Sequence, residues 1–294
     1  MTGSGSSVLP GVTIAAITTA CVLSSQPAMA QEIDRNVVHW AYSSYFGTGW
    51  YTLGEERDAY VFRFKPRWEL REASLSDDGE RQIGIGFRFP VTAGLDTLGL
   101  DNLPGIVDPN NLASLSVTPE IVITAPLSKR WSLRPFAAIG WGSIMNNGES
   151  AWTYWAGIKS RYELGSGKLT SAFINSAGYV GHTPDDATSQ AFWPVSAGFE
   201  FDYQMDKRFI GEQHATLHWH IQYTRFADDL DMVARSGSRL GIPDQWDIGI
   251  AVSQREGSIR MGWFNFDRLG LAYRFSSSGD LKGISVVLRS LYDI

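Results

Sequence analysis

Two histidines, His218 and His220, have a spacing that could support chemistry. In an extended strand, residues two apart point to the same face, so both imidazoles would line one surface. Glu200 and Asp202 have the same spacing in an earlier segment, and Asp247 lies in a later one. Imidazole and carboxylate groups brought together could hold a divalent metal ion or serve acid–base chemistry.

The same five side chains also have a structural interpretation. Polar groups that face one another inside a protein satisfy each other's hydrogen bonds and charges without any catalytic role. The residues that the alternation described below turns inward carry both signs of charge, which favours an interior cross-linked by salt bridges. They are Arg63, Lys65, Arg88, Arg134, Lys159, Arg161, Arg274 and Arg289 against Glu120, Glu200, Asp202 and Asp247. We therefore keep the five as candidate residues of the protein interior, and assign no catalytic residue, no cofactor and no metal.

The elements that would position these residues are β-strands, because apolar and polar residues alternate along most of the chain. Phe62 and Phe64 flank Arg63, for example. An apolar face opposite a charged face is typical of a transmembrane β-barrel, although a soluble barrel or sandwich with its apolar face inward would show the same alternation. The alternation covers residues 60–71, 83–89, 115–124, 131–141, 152–162, 195–203, 217–223, 246–252, 269–275 and 284–294, with a weaker strand at 169–180.

Aromatic residues favour the membrane interpretation. The chain has 11 Trp and 11 Tyr, and aromatic residues make up 13% of it. The sequence therefore predicts an all-β fold, a closed antiparallel transmembrane β-barrel in the bacterial outer membrane. Three aromatic pairs bracket apolar stretches of about ten residues, the length of a tilted strand between two aromatic belts: Trp131 and Trp141, Trp152 and Tyr162, and Trp193 and Tyr203.

The strand count that best fits the connections is 12. It requires residues 259–275 to form one long strand and an additional strand to cover about residues 40–52. If residues 265–267 formed a tight turn instead, the count would change. In the predicted twelve-strand barrel, the last strand is 284–294, with Tyr292 outward and Asp293 inward. Short connections at 126–129, 163–167 and 255–257 would be periplasmic, and long ones at 92–113, 142–149, 181–191 and 226–244 extracellular.

The first thirty residues resemble a cleaved signal peptide. Residues 12–23 form an apolar run that is too short to span a bilayer, and Ala28 and Ala30 give the small-x-small pattern of a cleavage site. No Lys or Arg precedes the run, and Cys21 leaves lipidation as the alternative. We predict cleavage after Ala30. Residues 1–30 are then the signal peptide, 31–56 an N-terminal segment that includes the first strand, and 57–294 the barrel.

Charge and loop composition limit the partners. The formal net charge is -6 and no Lys/Arg stripe is present, which argues against nucleic-acid binding. The expected partners are outer-membrane lipid, lipopolysaccharide and, during insertion, the barrel-assembly machinery. The outer loops would carry acidic groups and one histidine, suited to Ca²⁺ or lipopolysaccharide binding or, as an alternative, to a protease site: Asp228, Asp229, Asp231, His182, Asp185 and Asp186.

Several longer motifs resemble one family. They are RWELREA at 67–73, LPG at 103–105 with DPNNL at 108–112, RWSLRPF at 130–136, LHWH at 217–220 with DDLD at 228–231, and FDRLGL at 266–271. Together they resemble the solitary outer-membrane autotransporter β-barrel family from about residue 47 onward. The resemblance implies a barrel without a passenger and without an established activity.

The function that follows is an outer-membrane barrel with a structural role or a narrow small-solute pore. The alternative is a barrel enzyme, a lipid or peptide hydrolase with its site at the extracellular rim. Large inward side chains predict a filled lumen that conducts poorly, and residues 31–39 are short and polar enough to sit in its periplasmic mouth.

Overall fold

The computed structural model describes residues 46–54, 57–96, 112–144, 150–185, 189–210, 213–233, 239–254, 259–261 and 264–293, and these are nearly all β-structure. The strands in this part of the chain are β1 (Gly49–Leu53), β2 (Arg57–Phe64), β3 (Arg67–Arg71), β4 (Ser74–Leu75), β5 (Arg81–Gln82), β6 (Gly84–Arg88), β7 (Val91–Asp96), β8 (Leu112–Val117), β9 (Glu120–Ser128), β10 (Trp131–Ile144), β11 (Ser150–Glu163), β12 (Leu169–Pro184), β13 (Gln190–Phe192), β14 (Pro194–Ile210), β15 (Gln213–Val233), β16 (Arg239–Gln254), β17 (Ile259–Met261), β18 (Phe264–Phe266), β19 (Leu269–Phe275) and β20 (Leu281–Val287).

The strands form one antiparallel meander that closes on itself. Each barrel strand pairs with the next along the chain, and β20 pairs back with β1 to complete the ring. The short strands β3, β6 and β9 prolong β2, β7 and β8, so that each pair makes one side-by-side position in the wall. The wall therefore has twelve positions, and the predicted closed twelve-strand antiparallel β-barrel is confirmed.

Three prolines place the interruptions of the long strands next to one another. Pro66 separates β2 from β3, Pro90 separates β6 from β7, and Pro119 separates β8 from β9. Proline has no N–H to donate to the sheet, so each one ends a run of regular pairing. Their carbonyl oxygens keep the neighbouring positions bonded: Phe89 N donates to Pro66 O at 3.0 Å, Thr118 N to Pro90 O at 3.0 Å, and Ile139 N to Pro119 O at 3.2 Å.

Two predicted strands differ from those observed. Residues 259–275 do not form one long strand, because β17 pairs with β18 in a separate two-stranded sheet and only β19 joins the barrel. The count stays at twelve because that hairpin lies outside the ring. The last barrel strand ends at Val287 and does not run to residue 294. The first strand begins at Gly49, and residues 40–45 of the predicted strand lie outside the described residues.

The barrel has two ends. At the base, β1 begins and β20 ends, and the connection between β9 and β10 is a tight turn at residues 129–130. At the mouth, the hairpin of β15 and β16 continues as far as the pairing of Val233 with Arg239. Two segments predicted as long loops, 181–191 and 226–244, are mostly strand. β12 and β13 extend into the first, and β15 and β16 extend into the second. Asp228 and Asp229 lie exposed on β15 and not in a loop.

The alternation of side chains places apolar residues outside and polar residues inside. Ile139 is 60% exposed on the outer face, whereas Asp247 is 2% exposed on the inner face. The aromatic belts expected from the sequence line up across strands, since Trp131 is the cross-strand partner of Tyr162 and Trp141 that of Trp152. No helix in the described part of the chain is long and apolar enough to cross a membrane.

Candidate functional site in the barrel lumen

Glu120 is the centre of the first inward cluster. It is 4% exposed, and its carboxylate accepts hydrogen bonds from Arg88 Nη1 at 3.0 Å and Trp155 Nε1 at 2.9 Å. Lys65 Nζ lies 3.2 Å from the same carboxylate. A carboxylate removed from water must be paired and hydrogen-bonded to keep its charge. These three donors, which lie on β6, on β11 and immediately after β2, meet that requirement.

Glu200, one of the five candidate residues, organises the second cluster. It is 1% exposed on β14 and forms ion pairs with Arg161 at 3.2 Å and Arg268 at 3.3 Å. The backbone N–H of Leu291 also donates to Glu200 Oε2, at 2.9 Å. This carboxylate therefore holds both the wall and a backbone segment that follows the last strand.

Asp247 and His220 form the third cluster with Arg274. His220 Nε2–H donates to Asp247 Oδ1 at 2.7 Å, and Arg274 Nε donates to the other carboxylate oxygen. Arg274 also donates to the carbonyl oxygen of Phe46. Both carboxylate oxygens are thus used by neighbours in the wall, an arrangement that fixes three strands together.

Asp202 and His218 form the fourth cluster with Ser253. A carboxylate can only accept a hydrogen bond, so His218 Nδ1–H donates to Asp202 Oδ1 at 2.6 Å. The other ring nitrogen, Nε2, lies 2.7 Å from Ser253 Oγ, and in the tautomer with its proton on Nδ1 it accepts a hydrogen bond from the Ser253 hydroxyl group. His218 and Ser253 are each 6% exposed.

The five candidate residues lie on one inner surface but do not form one site. Glu200 is the cross-strand partner of His220, and Asp202 that of His218. Even so, the hydrogen bonds divide them among three clusters, each completed by a residue that the sequence analysis did not select: Arg268, Arg274 or Ser253. Their inward parity was visible in the sequence, but the cross-strand register was not. Within the described residues, no three His, Cys, Asp or Glu side chains come together as metal ligands would.

The acidic and histidine residues predicted for the outer loops are placed differently. His182 lies on β12 and is 4% exposed, so the expectation of a loop histidine was wrong. Thr153, on the inner face of β11, is its cross-strand partner. Asp185 is exposed and accepts a hydrogen bond from Ser150 Oγ, and Asp186 lies outside the described residues.

Residues 288–293, which we call the inner segment, leave the wall after β20 and cross the lumen. The prediction of an outward Tyr292 was wrong, since Leu291 and Tyr292 are 4% and 5% exposed and pack against Ala172 and Ile174 on β12. Turning inward brings the carboxylate of Asp293 to the guanidinium groups of Arg88 and Arg134.

The inner segment is bonded to strands around the barrel. Arg134 stacks on the Tyr292 ring at 3.8 Å and donates to its carbonyl oxygen at 3.1 Å. Asp293 forms ion pairs with Arg134 and, at 3.3 Å, with Arg88. Arg289 Nη2 donates to Lys65 O at 2.6 Å. With Glu200 and β12 included, the segment is attached to β6, β10, β12 and β14 and to Lys65, which follows β2.

Leu291 and Tyr292 stand between two cavities. The inner cavity, of about 130 Å³, has Leu291 and Ile174 in its lining. A larger cleft of about 480 Å³ at the base has Tyr292 in its lining, and Arg134 borders both spaces. The inner segment therefore divides the lumen near its base.

The inner cavity has a strongly basic lining. Among the described residues of the lining, Glu120 is the one carboxylate, and the neutral polar groups come from glutamine, serine and threonine. Aromatic rings lie beside two of the cations, with Arg63 5.7 Å from the Trp155 ring and Lys159 5.7 Å from the Phe136 ring. The six cations in the lining are Arg63, Lys65, Arg88, Arg134, Lys159 and Arg274.

Solved structures with a similar fold are translocator domains of autotransporters. The translocator domain of NalP from Neisseria meningitidis matches with a TM-score of 0.51 and 10% identity, over 81% of this chain and 82% of that one. The transport unit of AIDA-I from Escherichia coli matches with a TM-score of 0.45 and 10% identity, over 82% and 88%. No family model and no curated protein matches the chain. The chain has the fold of an autotransporter translocator barrel, which confirms the resemblance drawn from the sequence at the level of the fold.

Proposed function

We propose that this protein is an integral outer-membrane β-barrel that acts as a narrow small-solute pore, closed at its base by the inner segment. Its outer face would contact lipid and lipopolysaccharide, and the barrel-assembly machinery would insert it. The observation that carries the proposal is the division of the lumen by Leu291 and Tyr292.

The outer face supports membrane insertion. Trp131 and Trp141 are ten residues apart on β10, and the residues between them present an apolar surface. Ten residues of strand rise about 33 Å, and a tilt of about 40° reduces this to about 25 Å along the membrane normal, the height of the apolar band of such barrels. The translocator-type fold supports the same placement.

The inner segment supports a closed resting pore. A twelve-strand barrel lies between small barrels that side chains fill and large ones that leave a channel, so the interior groups decide whether it is open. Here Arg134, Arg88 and Glu200 tie the segment to opposite parts of the wall. Since a passenger would have to thread through the same base, we propose that the barrel functions without one.

The cavity lining supports an anionic solute. Among the described residues, six cations and the carboxylate of Glu120 line a space of about 130 Å³, and two more carboxylates outside the lining, Asp247 and Asp293, pair with three of those cations. Cations in a low-dielectric space with fewer carboxylates attract anions and repel cations, because the charges are poorly screened there. A small anion is therefore the solute that this interior fits best.

Conductance in planar lipid bilayers tests the proposal. The exported, purified wild-type chain is expected to carry little steady current. Arg134→Ala and Asp293→Ala each remove one partner of the ion pair that holds the inner segment, and both are expected to give a larger steady current whose reversal potential indicates anion preference. Asp206→Ala, which alters an exposed carboxylate on β14, is the matched control and should behave as wild type.

Two results would contradict the proposal. A large steady wild-type current that neither substitution changes would show that the inner segment does not close the lumen. A cation-preferring current through the opened variants would show that the six cations do not select the solute.

A further inference from the structure

Ser253, His218 and Asp202 lie in one hydrogen-bonded line across β16, β15 and β14. The Ser253 Oγ to His218 Nε2 distance is 2.7 Å, and the His218 Nδ1 to Asp202 Oδ1 distance is 2.6 Å. This is the connectivity in which a carboxylate orients an imidazole and the imidazole takes a proton from a serine hydroxyl. Neither the fold nor the proposed pore requires that order of groups.

The neighbouring histidine shows that the arrangement is not a general result of placing histidine in this lumen. His220 lies two residues along the same strand and on the same face, but its Nε2 is bonded to Asp247. That carboxylate is shared with Arg274. Within the described residues, no hydroxyl group forms a hydrogen bond with the His220 ring. His220 therefore has the surroundings of a structural histidine, while His218 has those of a general base.

Arg268 supplies a cationic donor near this end of the sheet. The β16–β19 ladder ends with the pair of Val252 and Leu269, and the next residues are Ser253 on β16 and Arg268 immediately before β19. The Nη atoms of Arg268 bind Glu200, whereas its Nε is buried and makes no hydrogen bond within the described residues. An N–H donor beside a reacting serine is the kind of group that stabilises the oxyanion formed during acyl transfer.

Small apolar side chains border the same position. Ala251 is two residues before Ser253 and is the cross-strand partner of His218. It is buried in a cluster with Ala272 and Val287. These side chains are small and apolar, and Ala251 lies on the same face of β16 as Ser253, which suits a short acyl chain better than a bulky or charged group.

We infer that Ser253, His218 and Asp202 form an acyl-transfer site at the base of the lumen, whose substrate is a carboxylic ester with a short acyl chain. Ser253 Oγ forms a bond to the ester carbonyl carbon while its proton moves to His218 Nε2. The bond from that carbon to the alcohol oxygen then breaks, and His218 returns the proton to the leaving alkoxide.

Water completes the cycle. It bonds to the acyl carbon as His218 takes one of its protons, the bond from Ser253 Oγ to the acyl carbon breaks, and the proton returns to Ser253. The net change is ester plus water to acid plus alcohol, with no oxidant or reductant. Asp202 remains ionised and holds the imidazole in the reactive tautomer.

A fluorophosphonate probe on the purified, folded full chain tests the inference, with the site of any adduct determined by peptide mass spectrometry. The expected result is an adduct on Ser253 that is absent in Ser253→Ala. The labelling rate should fall by about 10³-fold or more in His218→Gln and Asp202→Asn, the order seen when triad members are removed. His220→Gln, the matched histidine control, should label as wild type does. Hydrolysis of p-nitrophenyl acetate should follow the same order.

The inference is overturned if the probe labels Ser253→Ala as much as the wild type, or if His218→Gln does not lower the labelling rate. It is also overturned if neither the wild type nor Asp293→Ala, in which the base is expected to be open, gains an adduct at Ser253. These last two proteins need no change at the three residues, so a folding defect in the site variants does not obscure the result. The adduct and the bilayer current are separate readouts, so either proposal can fail alone.

Discussion

The outer and inner faces of the barrel wall are built by the same strands but depend on different interactions. On the outer face, residues such as Ile221 and Ile248 are apolar and exposed, and they are cross-strand partners that many other apolar residues could replace. On the inner face, a charged residue such as Glu120 has particular donors on other strands. Alternation determines which face a residue occupies, whereas the cross-strand register determines its partner.

The inner segment shows what happens when the two requirements conflict. The alternation of β20 continues in the sequence beyond Val287 and would place Tyr292 outside. In the structure, Asp293 instead pairs with Arg134 and Arg88, and Tyr292 lies under the Arg134 guanidinium. The paired charges of the lumen thus outweigh the continuation of one strand.

The largest expected effect comes from removing an inner carboxylate. Glu120→Ala leaves Lys65 and Arg88 without their shared partner in a buried setting, a change that typically costs about 3–5 kcal/mol. Urea unfolding of the refolded barrel in lipid vesicles measures this cost. Glu163→Ala, at an end of β11 where the side chain is 52% exposed, is the control and should cost about 1 kcal/mol or less. Equal costs would show that burial among partners in the lumen does not set the contribution of a carboxylate to stability.

A smaller effect should separate two adjacent residues on β15. Ile221 lies outside, in a row with Phe199 and Ile248, and Gln222 lies inside opposite Asp247. Ile221→Arg should cost about 2–4 kcal/mol because it brings a cation to the middle of the apolar band. Gln222→Arg places the same cation in the lumen and not in the hydrocarbon, so it should cost less than Ile221→Arg even though it joins a basic lining.

Unfolding in lipid vesicles compares the two variants, and a cost for Gln222→Arg that reached that of Ile221→Arg would contradict the assigned faces. Gly198, the other inward neighbour of this row, is a poor control. A Cβ there would lie 2.5 Å from the carbonyl oxygen of Ile221, so any substitution would be strained whatever its charge.

The smallest effect is expected for ion pairs at the ends of the barrel. Lys168 Nζ lies 2.8 Å from Asp206 Oδ2, but the side chains are 63% and 75% exposed. Exposed pairs are screened by water and salt, so Asp206→Asn should change the free energy of unfolding by about 0.5 kcal/mol or less. A loss comparable to that of Glu120→Ala would show that the contribution of a charged side chain to the free energy of unfolding does not depend on its location in the wall.

The faces and the strand number could be predicted from the sequence, because period-two alternation and aromatic spacing are local signals. Inward candidates such as Asp202 and His218 therefore lie on the inner face, on neighbouring strands. The division into separate clusters could not be predicted, because it depends on the register between strands. Ser253 has the right parity, yet only the pairing of β15 with β16 brings it to His218.

The two mispredicted segments failed for different physical reasons. Ile259, Met261 and Trp263 share the parity of the apolar residues of β19, but residues 259–261 and 264–266 pair with each other as β17 and β18 and not with the barrel. Residues 288–293 keep the alternation of β20, but long-range ion pairs with Arg88 and Arg134 draw them into the lumen. Local periodicity contains no information about partners about 150 residues or more away, as Arg134 is from Asp293.

Disulfide cross-linking tests the central claim, that residues 288–293 cross the lumen, most directly. The chain contains one cysteine, Cys21, in the predicted signal peptide, so Leu291→Cys combined with Ile174→Cys gives a pair with no background thiol after cleavage. Leu291 and Ile174 pack in one cluster. Mild oxidation in the membrane should therefore form the intramolecular disulfide in nearly all chains, which changes their migration on a non-reducing gel. Leu291→Cys with Ile158→Cys, an outward position, should not cross-link. No cross-link to residue 174, or an equal one to residue 158, would show that the segment does not lie inside the barrel.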